Sequence, residues 1–283
     1  MKDRLRLEAI RMRNEIATPP IYLSMPETEN VRLVIIPTYN EIENIEAIIR
    51  KVMSLKPNFD LLVVDDGSPD GTALAVRDLQ VEYPTRIHLL ERRGKLGLGT
   101  AYIAGFNYAL HEEYQYIFEM DADFSHNPDD LVRLWTACDQ EGYDLAIGSR
   151  YISGVNVVNW PIGRVLMSYF AGIYVRFITG MPVMDATAGF KCYTRRVLRT
   201  IPFDRIRFVG YAFQIEMKFT AWKYGFRIKE VPIIFTDRTQ GHSKMSSGIF
   251  REAILGVLAL KINSLFRHYT PSTEAKETDV LKG

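Results

Sequence analysis

Asp121 and Asp123 stand one residue apart at the end of the apolar run Tyr116 to Met120. Residues two apart in an extended chain share a face, so their carboxylates converge. Converging anions repel unless a cation joins them. A hard divalent ion, Mg²⁺ or Mn²⁺, meets that need and keeps coordination places open for the phosphates of a substrate. Two further polar loops follow apolar runs, Pro37-Thr38-Tyr39-Asn40-Glu41 and Asp65-Asp66-Gly67-Ser68-Pro69-Asp70-Gly71-Thr72. In the second, Gly67 and Gly71 permit close backbone approach, and Asp70 or Thr72 can cap a following helix. Ser68 to Thr72 therefore reads as a well-made turn, whereas the second adjacent carboxylate, Asp66, adds nothing to a turn and points to a ligand. His126 and His242 read as turn or packing residues.

The elements that must position these loops are legible from periodicity. VRLVIIP is a β-branched run stopped by a proline, and the amphipathic stretch Ile42 to Leu55 follows it. The unit recurs as LLVVDD with a helix from about Gly71, RIHLLE with a helix from about Gly99, and YIFEMDAD with a helix from about Pro128; DLAIGSR closes the series. Near-continuous apolar strands alternating with helices predict a mostly parallel sheet covered by helices on both faces, with ligands beyond the strands' C-terminal ends. Beyond Tyr151 come a long helical stretch from Pro161, a short AGFKCY segment, a helix around Tyr211 to Tyr224, the strand RIKEVPIIF and a last apolar helix. The boundaries read as an extension and linker over 1–30, a catalytic domain over 31–240, an amphipathic or interfacial helix within 241–270 and a disordered tail over 271–283.

Composition narrows the function. The 283 residues are 47% apolar and 24% charged, and 35 Lys plus Arg against 34 Asp plus Glu leave a formal charge of +1. No global field attracts nucleic acid, which is not an expected partner. Cys138 and Cys192 stand in no CxxC or Cys/His spacing, so neither structural zinc nor a disulfide framework is expected, and a reducing, cytosolic setting fits. The first residues hold no apolar core of a cleaved signal peptide. Val165 to Val183 carries Arg176 near its middle, and Ile249 to Phe266 is interrupted by Arg251, Glu252 and Lys261; neither supplies the roughly 20 apolar residues of a membrane span. Taken alone, these stretches fit buried core helices and membrane-interface helices equally.

Read in order, VIIPTYNEIENI, VVDDGSPDGT, GLGTAYIAGF, MDADFSHNP, IGSRY, DATAGFKCY and FTDRTQGHSKMS resemble the inverting glycosyltransferases of family 2, over roughly Val31 to Phe266. The resemblance implies a GT-A fold and, within the family, transfer of mannose from GDP-mannose to dolichyl or another polyprenyl phosphate. Pro37, Tyr39 and Glu41 resemble residues that hold the base and ribose, with Val64 and Asp66 completing the base pocket. Asp121, Ala122 and Asp123 resemble the metal and diphosphate motif. Ser125 stands where some relatives have a metal-reaching Gln. Arg150, Arg164, Arg238 and Lys244 resemble the basic residues around the diphosphate and the acceptor phosphate, with Arg150, Arg164 and Lys244 on the acceptor and Arg150, Arg238 and Lys244 on the donor. Asp123, Arg150, Arg164 and Arg238 are then the catalytic set. Gly94 to Gly99 lacks the GxxxxGK[ST] order and reads as a mobile loop beside the nucleotide, with Lys95 in contact. Asp185, Thr187, Gln214 and Glu216 either shape the sugar and acceptor pockets or cap helices.

Chemistry gives these residues a reason. A nucleoside diphosphate leaving group accumulates negative charge, which a divalent ion and arginines stabilise. A lipid monophosphate acceptor is already an anionic nucleophile, so no base need take a proton from it. A lipid acceptor also needs an apolar approach, which tilts the two apolar stretches toward interfacial helices and places the protein on the cytosolic face of a membrane, endoplasmic reticulum or bacterial inner membrane. Some relatives add spanning segments or rely on a small membrane partner subunit. The alternatives are UDP-glucose or another nucleotide sugar as donor, a nucleotidyltransferase, and a non-catalytic nucleotide-sugar-binding subunit. The nucleotidyltransferase would carry a glycine-rich loop where PTYNE stands.

Overall fold

The computed structural model describes residues 31–210, 212–237 and 247–270, with backbone only for 247–254. The 1–30 extension, the 271–283 tail, Arg238, His242 and Lys244 lie outside the described residues.

Strand β1 (Arg32–Thr38) leads into helix α1 (Ile45–Met53), β2 (Asp60–Asp65) into α2 (Thr72–Glu82), β3 (Ile87–Glu91) into α3 (Leu98–His111), and β4 (Tyr116–Glu119) into α4 (Asp130–Asp139). Then come β5 (Leu145–Ser149), the short β6 (Val157–Val158), α5 (Ile162–Thr179), β7 (Lys191–Thr194), α6 (Arg195–Thr200), α7 (Ala212–Lys223), β8 (Ile228–Pro232), the short β9 (Phe235–Thr236) and α8 (Ser247–Leu265). Alternation along the strands feeds two cores. Leu33, Ile35, Leu62 and Val64 face one layer with Tyr102 and Phe106 of α3 and Phe213 of α7. Val34, Ile36, Leu61 and Val63 face the other, with Ile45, Ile48 and Ile49 of α1 and Leu131 and Leu134 of α4. Apolar residues at both parities of a strand are what a sheet buried on both faces demands.

The sheet runs β3-β2-β1-β4-β7-β5-β8. β1 pairs in parallel with β2 on one side and β4 on the other, so the strand order reverses there and opens a crevice at the two C-terminal ends. That crevice lies between the Tyr39 loop and the Asp121 motif. The AGFKCY segment takes a central place: β7 runs antiparallel between β4 and β5. DLAIGSR is thereby held one strand away from β4. β6 and β9 form a separate parallel pair, Val157 opposite Phe235. Among the described residues no helix is long and apolar enough to cross a membrane.

Candidate active site

The loops after β1 and β2 are stitched to each other. The backbone N–H of Asn40 donates to Ser68 Oγ at 3.0 Å, that of Glu41 to Thr72 Oγ1 at 3.1 Å, and that of Ile42 to Asp70 Oδ2 at 3.1 Å. Asp65 accepts from Thr38 Oγ1 at 2.9 Å and from the Ser68 N–H and hydroxyl at 2.8 and 2.6 Å, so its carboxylate is spent on architecture. Ser68 to Thr72 is the turn the sequence predicts, but neither Asp70 nor Thr72 is the cap: Gly71 stands at the N-cap of α2 with no side-chain cap bond, and Asp70, one residue earlier, accepts from the Thr72 N–H. Asp66, buried, takes Arg92 Nε at 2.6 Å and the Leu96 N–H at 3.3 Å, and Arg92 also donates to Thr100. It thereby fixes the Gly94 to Gly99 loop, whose Lys95 Nζ stands 5.2 Å above the Tyr39 ring. Gly99 is a packing residue: a Cβ there would meet the Phe213 ring at 2.8 Å. Pro37 is half-buried at the end of β1, while the Val64 side chain lies wholly in the core.

After β4 the chain turns through Phe124 at φ 56°, a left-handed conformation uncommon outside glycine, and the Ser125 N–H reaches back to Asp123 Oδ1 at 3.1 Å. Ala122 packs into the core between the two acids. The Asp121 side chain is 43% exposed, and its Oδ2 lies 3.9 Å from Nδ1 of the buried His126. Burial pushes the His126 pKa down to about 4, and its ring stacks on Phe190 at 4.9 Å. His126 is thus a neutral packing residue at physiological pH, and the buried oxygen of Ser125 has no hydrogen-bond partner among the described residues. Among the described residues no group of three or more His, Cys, Asp or Glu is placed to hold a metal by itself. Asp121, Asp123 and Ser125 supply hard oxygen donors only. This incomplete shell fits Mg²⁺ or Mn²⁺, ions that take further oxygens from water and phosphate.

Asp121, Asp123 and Ser125 line a cavity of about 470 Å³ together with Arg150, Arg164 and the α5 residues Met167, Phe170 and Tyr174. Arg150 grips Asp185 in a fork, Nε to Oδ2 at 2.7 Å and Nη2 to Oδ1 at 2.6 Å, and Nη2 also reaches Thr187 Oγ1 at 2.8 Å. Burial pushes the Asp185 carboxyl up and the Arg150 guanidinium outweighs it, leaving Asp185 below the usual carboxylate range. Arg164 donates to Asp237 at 2.9 Å and lies 4.1 Å above the Trp160 ring. Neither arginine is a solvated surface pair. Gln214 lines the same cavity, whereas Glu216 faces elsewhere and accepts the N–H groups of Arg207 and Phe208.

Several supporting residues escape a reading by motif. Glu230 on β8 accepts the Ser149 hydroxyl at 2.7 Å and the N–H groups of Met184 and Asp185 at 2.7 and 2.9 Å. One carboxylate therefore sets both the strand end that carries Arg150 and the loop that carries its partner. Beneath the acidic motif, Lys191 of β7 is fully buried against Glu119 at 3.0 Å and against Gln214, which donates to Glu119 at 2.8 Å. Lys218 of α7, also fully buried, donates to the Ala188 carbonyl at 2.6 Å, and burial drives its pKa well down. The signal in the sequence is charge inside apolar runs: Lys in AGFKCY, and Glu and Lys in FQIEMKFT.

Residues 33–202 match the family described as glycosyl transferase family 2. The chain is 48% identical to the polyprenol monophosphomannose synthase of Mycolicibacterium smegmatis, covering 80% of this chain and 84% of that protein. It is 45% identical to the undecaprenyl-phosphate mannosyltransferase of Micrococcus luteus, covering 80% and 91%. Among solved structures, the glucosyl-3-phosphoglycerate synthase of Mycobacterium tuberculosis, in complex with Mn²⁺, UDP and glucosyl-3-phosphoglycerate, superposes with a TM-score of 0.57 at 17% identity, over 83% of this chain and 79% of that one. A mannosyltransferase of Pyrobaculum calidifontis in complex with GDP-Man and Mn²⁺ superposes at 0.52 and 18%, over 93% and 71%. These neighbours share the GT-A fold expected above.

Proposed function

The chain belongs to glycosyl transferase family 2, and from that premise we propose that it transfers mannose from GDP-mannose to a polyprenyl phosphate, dolichyl phosphate included, with inversion at the anomeric carbon. The observation that carries this reading is the make-up of one cavity. Its oxygen ligands suit a nucleotide diphosphate, Arg150 lies close enough to feel the Asp121 charge, and the same walls carry Arg164 and the apolar side chains of α5. Mannose as the sugar and a polyprenyl phosphate as the acceptor are supported by the names of the two relatives at 48% and 45% identity.

In this reading Tyr39 and Lys95 hold the base and ribose side of the donor. Asp121 and Asp123, with Ser125 beside them, hold Mg²⁺ or Mn²⁺, which when bound neutralises charge on the departing diphosphate. Arg150, pre-set by Asp185 and Glu230, and Arg164 orient the acceptor phosphate for attack in line with the leaving group. A phosphate oxygen forms the new bond to C1 while the bond from C1 to the diphosphate oxygen breaks on the opposite face, and the electron pair leaves with GDP. The monoester is already anionic, so no residue has to remove a proton, and the cavity's neutral His126 is consistent with that. Arg238 and Lys244, which the family resemblance assigns to the phosphates, follow β9 in the sequence and lie outside the described residues.

The apolar face of α5 gives the lipid its approach. Ile162 is 77% exposed, Phe177 86% and Phe266, beyond the end of α8, 84%. Helices α5 and α8 pack side by side, and Lys261 of α8 donates to the Thr179 carbonyl at the end of α5. Side chains of this kind leave water for the headgroup boundary of a membrane, which supports a peripheral position on a membrane surface; the cytosolic face is part of the proposal.

The test is transfer of labelled sugar into organic-extractable lipid, with polyprenyl phosphate, GDP-mannose or UDP-glucose, and divalent ion against chelator. Lipid-linked mannose lost on chelation is the expected result. Lipid-linked glucose would keep the chemistry and correct the donor. Nucleotide binding without lipid product would turn the reading toward a hydroxyl acceptor or a missing membrane partner subunit.

A further inference from the structure

A second cavity, about 1080 Å³, lies on the other side of α8. Arg205 and Arg207 reach it from the loop before α7, and Arg267 from the end of α8. Among the described residues its acids are Asp204 and Glu216. Glu216 is committed to the N–H groups of Arg207 and Phe208 at 2.9 and 3.0 Å, and burial pushes its carboxyl up. Arg267 is the anomaly. Its Nε and Nη2 are buried and have no hydrogen-bond partner among the described residues, although the guanidinium also lies 5.2 Å from the Tyr269 ring, bonds the Tyr269 hydroxyl and feels the Glu216 charge. Buried donors are paired in folded proteins, and an orphan of this kind marks a place where water or an anion belongs. A guanidinium fork has the geometry of a phosphate.

The helix that forms the wall says what the phosphate is attached to. Leu258, Ile262 and Leu265 recur at spacings of four and three along α8 and are all exposed, forming one apolar stripe. Leu255, three residues before Leu258, and Phe266, four after Ile262, extend the stripe, and both also line this cavity. Val257, on the opposite side of the same turns, lines the 470 Å³ cavity instead. Helix α8 thus separates two chambers, and the basic one opens at the edge of the stripe that faces outward. Gly256 keeps this arrangement close, since a Cβ there would strike the Phe208 ring at 2.7 Å.

We infer that this basic chamber is a headgroup site for an anionic phospholipid, with Arg267, Arg205 and Arg207 around the lipid phosphate and the acyl chains lying along Leu255 and Phe266. The site is separate from the acceptor site, and it holds the protein on an anionic membrane in the pose that presents α5 and α8 to the lipid.

Full-length protein is sedimented with vesicles of phosphatidylcholine alone and with vesicles that also contain phosphatidylglycerol. The wild type should prefer the anionic vesicles by about tenfold or more. Arg267→Gln and the double variant Arg205→Gln/Arg207→Gln should each lose most of that preference while keeping the weaker partition onto phosphatidylcholine. Arg267→Lys should recover it only in part. Arg199→Gln, which removes one exposed charge elsewhere, should leave it nearly unchanged. Equal losses from Arg199→Gln and Arg267→Gln would reduce the effect to general surface charge and overturn the site. Inorganic phosphate that raises the melting temperature through Arg267, with no preference between the two vesicles, would make the ligand free phosphate and overturn the lipid assignment. Circular dichroism and mannose transfer to a water-soluble short-chain prenyl phosphate serve as folding controls. Both should be unchanged in the variants, and transfer that fails in wild type as well would strike the catalytic reading, leaving the vesicle result to judge this one.

Discussion

The donor side and the acceptor side of the candidate active site are built on different plans. At the ends of β1 and β2 the polar residues are partners over short spans, Ser68 to Asp65, Thr72 to Asp70, or join two adjacent loops, as Asn40 joins Ser68. On the acceptor side the decisive pairs cross long stretches of chain. Arg150 meets Asp185, Arg164 meets Asp237, and Glu230 reaches back to Ser149 and Asp185. A local turn tolerates the loss of one bond because its neighbours hold the backbone. A buried pair assembled from distant segments does not, because removing one partner leaves the other's charge in a dry place. The two sides should therefore fail differently.

The largest effect is expected where the plans meet. Asp123→Ala removes an oxygen donor at the diphosphate, and transfer should fall by about 10³-fold or more with the fold intact by circular dichroism. Retained activity would refute the metal role. On the acceptor side, Arg150→Lys keeps the charge and loses the fork to Asp185, so kcat/KM should fall by about 10²-fold, chiefly in kcat. Glu230→Gln comes next, at about 10-fold, since the amide still fills the space but cannot accept all three of the bonds the carboxylate takes. Because Glu230 acts through Arg150, the double variant should be little worse than Arg150→Lys alone. Additive losses would show that Glu230 is merely a stabilising residue and would remove the long-range chain of support.

The same contrast explains what can be read from sequence. The parallel strands, the helices from Gly71, Gly99 and Pro128 and the acidic motif follow from periodicity and turn chemistry, which are properties of neighbours in the chain. Resemblance to a family named Arg150 and Arg164, but only the fold shows Asp185 and Asp237 on them. The place of AGFKCY between β4 and β5 is likewise invisible locally, since a four-residue strand carries no mark of its direction. Lys191 and Lys218 look like surface residues by type. They are buried because β7 and α7 sit at the centre of the molecule, where Glu119, Gln214 and the Ala188 carbonyl satisfy them.

The smallest expected effect tests the donor side on its own terms. Asp70 accepts from the Thr72 N–H at 3.0 Å and hydroxyl at 2.6 Å, and from the Ile42 N–H at 3.1 Å. Partial burial pushes its carboxyl up, and these hydrogen bonds outweigh it, so Asp70 sits below the usual carboxylate range. Asp70→Ala should cost about 1 kcal/mol, the usual net value of a lost hydrogen bond, and lower the melting temperature by a few degrees. Transfer at saturating donor should be nearly unchanged, because Asp65 and Ser68 still hold the loop. The pH dependence follows from the sign of the shift. A carboxyl with a lowered pKa in the folded state binds fewer protons there than in the unfolded chain, so its contribution is full above the unfolded value. It fades as the pH falls through the folded one. The gap in melting temperature between wild type and Asp70→Ala should therefore be constant near neutrality and close in acid. A loss of transfer as large as that of Glu230→Gln would mean that the donor loops, too, depend on single long-range contacts.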